Sequence, residues 1–519
     1  MTKETDKPII GKAAIESLSI AMYDAPFFIY REYVQNGADS IDHCVMQRVF
    51  KKRSEGQINI KIDSNKRQII VEDNGIGIES KLVRPYLGNI AQSTKSKYQD
   101  KGFRGIGRLG GLAYCDKLTY ETSFKGESFK SIMIWDAKNL RFILDSPEIK
   151  RDASEVVSIV TDFKRIHADP ESHYMKVILD GVSNDDLLNL TKVKDYLSMV
   201  APLPFDSNFS FSPKICEQAK IEKVEIDEYK VFLNGDQLFK GYKDIIYKVF
   251  KKNNKESIEK YDIVYDIKFF KDSFEKGLLY WGWYGITKNM KYIPEVNNEK
   301  YIRLRKNNIQ IGLKSRLDEF HKKESGSQYF IGEVYAVHRE LHPNARRDFF
   351  IENSVLTAFS NSLERQFEYL HTLFYDFSKK NSSVSIIKSA ELANEKLKSA
   401  IEKKVGNAKI SDLRNDVKRK NNKVLNAQLV LLDLFNKYKR DALGRVIKDD
   451  FSIKQLEIEI KSALATPDKS SKEPLDDILG EEEQKLLSFV INVVKSTYAK
   501  KSANKFIEKL KNEIQNNYL

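Results

Sequence analysis

The feature that most constrains this chain is a succession of three short elements whose polar residues and glycines follow one another in a set order. The first is REYVQNGADS, in which Glu32, Asn36 and Asp39 are separated by four and three residues. These steps place the three polar side chains on one face of a helix. The helix is otherwise rich in apolar residues, so we interpret this face as a candidate site. Taken alone, it would also suit a solvated helix side.

The second element closes a predicted hairpin. QINIKID and RQIIVED alternate apolar and polar residues, which predicts two strands with a turn at Ser64 and Asn65. The second strand ends at Asp73, and Gly75 and Gly77 follow at alternate positions. Glycines here let the backbone approach a flat ligand closely and adopt positive φ. An ordinary hairpin turn would account for the same letters.

The third element is a glycine-rich segment, GFRGIGRLGGLAYCDKLTYET, that precedes a strand-like run. Amide-rich glycine turns of this kind cradle phosphates. It contains a literal GxGxxG, but a dinucleotide-binding fingerprint must directly follow a strand and open a βαβ unit. The polar stretch NIAQSTKSKYQDKGFR precedes it here, so we do not interpret it as a Rossmann motif.

In this order and spacing the three elements resemble the GHKL ATPase superfamily, which includes gyrase B subunits, MutL proteins, the ninety-kilodalton heat-shock chaperones and MORC proteins. ExxxNxxD and DxGxG match the first two motifs of that superfamily. LGNIAQSTKSK resembles the nucleotide lid of the heat-shock chaperones, and GFRGIG followed by DKLT resembles their third motif. The nearest types are bacterial stand-alone proteins of the chaperone-like or MORC-like kind. The strong resemblance covers about residues 10 to 200.

The resemblance implies an ATPase that uses ATP and Mg²⁺. It makes Glu32 the general base that activates water, and Asn36 the ligand of Mg²⁺ through its side-chain oxygen. It makes Asp73 the acceptor of the adenine amino hydrogen, and it closes the stretch from about 88 to 107 as a lid. The remaining nucleotide-binding positions that it implies are Asp39, Gly75, Gly77, Lys95, Gly102, Gly105 and Gly107.

Two departures from the superfamily pattern lie close to the nucleotide. Gly37 stands where alanine is usual after the metal-binding Asn, and Ser40 follows Asp39. A later Gly-Thr signature is not evident before VILDGV, where ESHYMK stands instead, so the fourth motif stays unassigned.

The resemblance also implies that a basic residue from a second domain completes the catalytic site. HPNARRDFF resembles the MORC segment that carries an ATP-sensing basic residue. We therefore predict Arg346 as a catalytic residue that contacts the γ-phosphate, with Arg347 as the second candidate. Arg303 and Arg305, in YIRLRKNNIQIG, are interpreted as the surface of a half-buried strand.

The pattern along the chain predicts an α+β protein in three parts. Residues 1–205 would form the ATP-binding domain, a Bergerat-type α/β sandwich by the resemblance, and APLPFD marks its end. Strand-like runs dominate 206–352, which predicts a second, transducer-like α/β domain. Residues 353–519 are predicted to be helical and partly coiled coil, with a linker near 465–483. The helical pattern begins with apolar residues at steps of three and four: Leu356, Phe359, Leu363, Phe367, Leu370 and Phe374.

Charge and hydropathy restrict the environment and the partners. The chain of 519 residues has a net charge of +13, and residues 379–519 alone carry an excess of nine positive charges. Such a balance suits a polyanionic partner, although it also aids solubility. No apolar run is long enough to cross a bilayer, and the first residues lack the layout of a signal peptide. We therefore expect a cytoplasmic protein without a membrane partner.

Two function classes follow. One is an ATP-driven homodimeric clamp on nucleic acid, in DNA maintenance or anti-phage defence, which the basic tail favours. The other is a chaperone-like ATPase that acts on proteins or controls a partner effector protein, which the lid and third motif favour. A signalling kinase is disfavoured because no phosphoacceptor-histidine helix precedes the ATP site. Gyrase-like strand passage is disfavoured because the tail lacks a recognisable metal-binding cleavage domain.

Overall fold

The computed structural model describes residues 10–17, 25–89, 107–252, 255–275, 277–322, 324–404, 406–465, 481–497 and 506–511. The chain forms two compact units. The first comprises Met1–Ser382 and Tyr438–Val446, and the second comprises Ser383–Lys437 and Ile447–Leu519. Two sheets with associated helices make up the first unit and helices make up the second, so the α+β class predicted from the sequence is confirmed.

An eight-stranded sheet forms the first half of the first unit. Its order is β5-β4-β3-β6-β2-β1-β7-β8, and the neighbouring strands run antiparallel except for β1 and β7. The strands are β1 (Gln57–Asp63), β2 (Gln68–Asp73), β3 (Lys117–Ser123), β4 (Phe129–Asp136), β5 (Thr161–His167), β6 (Tyr174–Asp180), β7 (Lys230–Leu233) and β8 (Asp236–Gln237).

Helices of the same part of the chain share a hydrophobic core with this sheet. They are α1 (Ala13–Ile15), α2 (Phe28–Met46), α3 (Ser80–Gly88), α4 (Ala137–Asp145), α5 (Ala153–Val160) and α6 (Leu190–Val200). Helices α4, α5 and α6 each begin after an Asp or Asn whose side chain accepts a hydrogen bond from the first turn, which satisfies an otherwise unpaired amide.

The hairpin of β1 and β2 forms where the alternating sequence predicts it. Ile58, Ile60 and Ile62 are buried on one face of β1, and Ile60 lies opposite Val71 of β2. Residues 64–67 make the turn. Strand β7, which lies beyond residue 205, pairs in parallel with β1. The first sheet therefore continues past the APLPFD segment, and the domain boundaries at 205 and 352 stay a prediction.

A six-stranded sheet follows in the order β13-β12-β14-β11-β10-β9. Its strands are β9 (Ile245–Lys252), β10 (Lys255–Phe274), β11 (Gly277–Thr287), β12 (Tyr301–Lys306), β13 (Ile309–Gln310) and β14 (Ile331–Ala336). Helix α7 (Ser212–Ile221) contributes buried residues to the core of this sheet. Aromatic rings of Phe205, Phe209, Tyr242 and Trp283 pack together in the same core.

The interpretation of Arg303 and Arg305 as surface residues was wrong. Both side chains are buried, with exposed fractions of 3% and 0%, because each finds hydrogen-bonding partners inside the domain. Arg305 pairs with buried Glu333 and donates to the carbonyl of Met199 at 2.6 Å. Arg303 donates to Gln310 at 2.7 Å. Alternation of polar and apolar residues does not reveal such partners, which lie on other segments of the chain.

Helices make up the rest of the described chain: α8 (Ser354–Glu402), α9 (Asn407–Asn421), α10 (Val424–Lys437), α11 (Ala442–Asp450), α12 (Ile453–Ala465) and α13 (Glu481–Thr497). The steps of three and four that predict the start of α8 match its buried residues, from Leu356 to Leu370. In the second unit Ile387, Leu431 and Leu456 share a small core. The predicted linker lies mostly in 466–480, outside the described residues.

Among the helices that the structure describes, none combines the length and the apolar character needed to cross a lipid bilayer.

Candidate functional site

Helix α2 and the end of β2 bring the first two motifs together. Glu32 and Asp39 are buried, with exposed fractions of 6% and 3%, and Asn36 between them is half-buried. Gly37 is the contact point with the sheet, since a Cβ there would lie 3.2 Å from the Asp73 Cβ. An alanine methyl would also meet the Ile58 side chain at 3.0 Å. Glycine in place of the usual alanine thus lets α2 approach the acidic end of β2 closely.

The turn after Asp73 has the close backbone approach that its glycines predict. The Gly75 amide donates to Asp73 Oδ1 at 2.9 Å, and a Cβ at Gly75 would collide with Ser40 Oγ at 2.1 Å. Gly77 has a φ of +73°, and a side chain there would meet the Ser123 carbonyl at 1.9 Å. A Cβ at Gly75 would move the turn away from α2, and a Cβ at Gly77 would move it away from the end of β3, so both glycines position Asp73.

The described part of the third motif packs directly on α2. A 3₁₀ helix spans Gly107–Ala113. A Cβ at Gly107 would lie 2.1 Å from Glu32 Oε2, so the Gly107 backbone borders the carboxylate. A Cβ at Gly110 would lie 2.4 Å from the Phe28 ring. Gly107 therefore places its backbone beside the predicted catalytic base, and Gly110 lets the same segment pack on the first turn of α2.

Arg108 joins the two chain segments that flank the predicted lid. Its Nη2 donates to the Asn89 carbonyl at 2.8 Å, and its guanidinium lies 4.9 Å from the centre of the Tyr86 ring. The side chain is 5% exposed, and burial lowers its pKa. Residues 90–106 between these segments lie outside the described residues, and with them the predicted lid positions Lys95, Gly102 and Gly105.

A loop that follows the second sheet reaches Glu32. The Arg347 Nε lies 3.4 Å from Glu32 Oε1, and both side chains are about nine-tenths buried. Arg347 has a φ of +57°, and its carbonyl accepts a hydrogen bond from the Gly312 amide at 2.8 Å. The loop is closed by the Asn344 amide, which donates to the Phe349 carbonyl at 2.9 Å.

The structure brings Arg347, the second candidate from the sequence, to the site. The first candidate, Arg346, is exposed. Two adjacent arginines in a loop look alike in sequence, and the left-handed backbone at Arg347 decides which of them turns toward Glu32.

Two arginines flank the carboxylate of Glu32. Arg31 Nε lies 3.5 Å from Glu32 Oε1, the same oxygen that Arg347 approaches. Attraction between opposite charges is strong where water is largely excluded, so these contacts fix the position of the carboxylate. The sequence analysis missed Arg31 and Arg108. Their proximity to Glu32 and to the glycine segment was the only signal that the sequence offered.

The described residues fit ATP and Mg²⁺. On the polar face of α2, Glu32 and Asp39 are buried, whereas Asn36 is half-buried and offers an amide oxygen at a more open position. Magnesium prefers such oxygen ligands and keeps several waters or phosphate oxygens. The backbone at Gly107 offers the close approach that phosphates need beside Glu32.

Comparison with known proteins agrees with this geometry. Residues 30–164 match the family described as histidine kinase-, DNA gyrase B-, and HSP90-like ATPase. This segment is an ATPase domain of the GHKL superfamily, so the resemblance and the predicted ATPase class are confirmed for the domain.

Individual proteins that the chain resembles share only about a quarter of the aligned residues with it. A chaperone protein HtpG from Fusobacterium nucleatum is 27% identical over 119 residues, which are 20% of this chain and 20% of the relative. A chaperone protein HtpG from Shewanella pealeana is 25% identical over 134 residues, 22% of this chain and 21% of the relative. The chain thus spans about a fifth of the length of these curated relatives.

Proposed function

We propose that the protein is a cytoplasmic, Mg²⁺-dependent ATPase that closes as a homodimeric clamp on nucleic acid, in DNA maintenance or anti-phage defence. The contact between Glu32 and Arg347 carries the proposal, because it joins the ATPase domain to the loop after the second sheet. A change at the γ-phosphate is thereby transmitted to a distant part of the chain. Coupling of this kind distinguishes a switch from a simple hydrolase.

The roles of the site residues follow from their positions. Asp73 accepts a hydrogen bond from the adenine amino group, and Asn36 holds Mg²⁺. The Gly107 backbone borders the phosphates, and Glu32 accepts the proton of the attacking water. When bound, the metal neutralises charge on the phosphate oxygens. Asp39, Gly75 and Gly77 hold these groups in place, and Lys95, Gly102 and Gly105 serve the lid.

Arg347 takes the sensing role that the sequence assigned first to Arg346. Its guanidinium is fixed beside Glu32, where charge develops on the transferred phosphoryl group. We expect Arg347→Ala to lower kcat for ATP by about 10²-fold and to change nucleotide affinity much less. Steady-state hydrolysis and nucleotide-binding titration measure the two effects separately.

Arg346→Ala is the matched control, since it removes the same group from an exposed neighbour. It should hydrolyse ATP at nearly the parental rate. A larger loss of turnover from Arg346→Ala than from Arg347→Ala would return the role to Arg346, and equal loss of kcat and affinity would refute sensing by Arg347.

The charge distribution supports nucleic acid as the partner. The net charge is +13, and the helical region from residue 379 onward contributes an excess of nine. A clamp is tested with the full-length protein on circular and linear DNA in the presence of a non-hydrolysable ATP analogue. Salt dissociates phosphate contacts but does not open a closed ring. We expect salt-resistant retention on circular DNA only, together with a dimer in light scattering.

The likeness to chaperone proteins supports a second candidate function, in which ATP closure acts on a protein client or controls a partner effector. That likeness covers the ATPase segment alone. If ATP is hydrolysed but DNA is not retained in either form, the second candidate replaces the first. Suppression of aggregation of an unfolded client protein would then be the measurement.

A further inference from the structure

We propose that a two-stranded β-ribbon, formed by β9 and the first half of β10, is the part of this protein that binds nucleic acid. From Lys255 to Ile263 strand β10 pairs with β9, and its pairing with β11 begins only at Val264. Residues 256–260 are all exposed. At about 3.4 Å per residue, the six residues from Lys255 to Lys260 extend the ribbon by about 20 Å.

The ribbon is basic. Residues 245–261 contain five lysines and two glutamates, an excess of three positive charges. One glutamate, Glu256, is paired with Lys251 at 2.8 Å, and the other, Glu259, accepts a hydrogen bond from Ser257 at 3.1 Å. An extended basic ribbon is a shape that the major groove of a duplex admits.

One face of the ribbon holds two ammonium groups against aromatic rings. Lys248 Nζ lies 5.3 Å from the centre of the Phe250 ring and 5.2 Å from that of Tyr261. Lys291, from the loop after β11, lies 5.0 Å from the same Tyr261 ring. These four residues are called the lysine-aromatic face below.

The electrostatics of the lysine-aromatic face favour a polyanion. An aromatic ring attracts an ammonium group and fixes its position, but it carries no net charge to neutralise it. Two lysines that share the Tyr261 ring are therefore held near one another. Glu259 lies opposite Lys248 across the two strands, so the lysine-aromatic face with this carboxylate keeps an excess of one positive charge for phosphates. Phe250, which is 38% exposed, adds a ring against which a sugar or an unpaired base can pack.

This inference rests on the nucleic-acid part of the proposed function. The test uses the full-length protein, a short fluorescent DNA duplex and the matching single strand, with binding measured by anisotropy at several salt concentrations. Each lysine that no longer neutralises a phosphate should reduce the slope of log K against log salt by about 0.9 on the duplex and about 0.7 on the single strand. We expect Lys248→Glu combined with Lys291→Glu to reduce the duplex slope by about 1.8, which corresponds to both lysines.

The control is Lys61→Glu combined with Lys164→Glu, which reverses the charge of two exposed lysines of the first sheet. The net charge of the protein then changes by the same amount as in the ribbon variant. It should retain the parental slope, and ATP turnover should be parental in both variants. Lys248→Gln combined with Lys291→Gln removes the two positive charges without adding carboxylates that would repel the phosphates. It should reduce the slope by the same amount. Phe250→Ala should weaken single-strand binding more than duplex binding, because only unpaired bases stack.

The outcomes separate the two proposals. If the parental protein binds DNA and both ribbon variants bind it with an unchanged slope, the ribbon does not bind nucleic acid, while the proposed function stands. If the parental protein binds neither probe, the nucleic-acid function fails and this inference fails with it. If ribbon and control variants reduce the slope equally, binding depends on net charge alone and the assignment to the ribbon is overturned.

Discussion

Glu32→Gln is expected to lower kcat for ATP hydrolysis by about 10²- to 10⁴-fold and to leave ATP affinity within a few-fold of the parental value. The carboxylate is the only proton acceptor that the α2 face offers beside the Gly107 backbone among the residues the structure describes. An amide of the same shape cannot accept the proton of water. Turnover is measured by phosphate release, and affinity is measured by titration with a fluorescent ATP analogue.

Glutamine is preferred to alanine for this test because Arg31 and Arg347 both pack against Glu32. Either substitution removes the negative charge that faces the two buried guanidinium groups, so some stability is lost in both variants. Alanine would in addition leave a cavity, whereas glutamine keeps the size and shape of the side chain. Glu148→Gln, at an exposed position, serves as the control for the substitution. Parental turnover in the Glu32→Gln protein would show that another group activates the water.

Sequence spacing was sufficient for the parts of the site that depend on one helix and one turn. The steps from Glu32 to Asn36 to Asp39 are fixed by helix geometry, and Asp73 follows from the end of an alternating strand. The glycine pattern predicted close backbone approach, and the contacts at Gly77 and Gly107 show what each glycine avoids. These are local properties, which is why a single sequence contains them.

Contacts between segments that are far apart in the chain could not be predicted from the sequence pattern. Arg347 reaches Glu32 across more than three hundred residues, and only the backbone turn at Arg347 distinguishes it from Arg346. Arg305 looked like a surface residue because its partner, Glu333, lies on another strand and its acceptor, Met199, lies in a helix that packs on the first sheet. Burial of a charge depends on partners that the fold assembles, and polarity alone does not reveal it.

The buried charge cluster of Arg305, Lys240 and Glu333 also ties the second sheet to the first. Arg305 and Asn308 donate to three carbonyls in the chain between the end of α6 and the start of β7, those of Met199, Leu203 and Asp227. The same β12 and β13 segment leads to Gly312, whose amide holds the Arg347 carbonyl. The cluster thus helps to position the loop that carries Arg347 beside the candidate nucleotide site.

Glu333→Gln is expected to destabilise the first unit by about 3 to 5 kcal/mol. Glu333 is fully buried, with Lys240 Nζ 2.8 Å from one carboxylate oxygen and Arg305 at the other. Burial alone raises the pKa of Glu333, but Arg305 and Lys240 outweigh it and lower the pKa to about 2. Burial, followed by the neighbouring Arg305, lowers the pKa of Lys240 to about 7 even with Glu333 present, so the amide leaves Arg305 as the buried cation without an anion and favours the neutral form of Lys240. Urea unfolding followed by tryptophan fluorescence reports the loss, since Trp281 and Trp283 lie on the adjacent strand.

The pH dependence gives an independent check with a definite sign. Because the folded pKa of Glu333 lies below its ordinary value of 4.5, its contribution is present above pH 4.5 and is lost as the pH falls toward 2. A difference of this size corresponds to about 3 kcal/mol. The gap in stability between the parental protein and Glu333→Gln should therefore narrow below pH 4.5.

Glu256→Gln, at an exposed ion pair, serves as the control and should leave the urea midpoint unchanged. A gap that stays constant down to pH 2, or equal midpoints for the parental protein and Glu333→Gln at neutral pH, would mean that the carboxylate is not what balances Lys240 and Arg305.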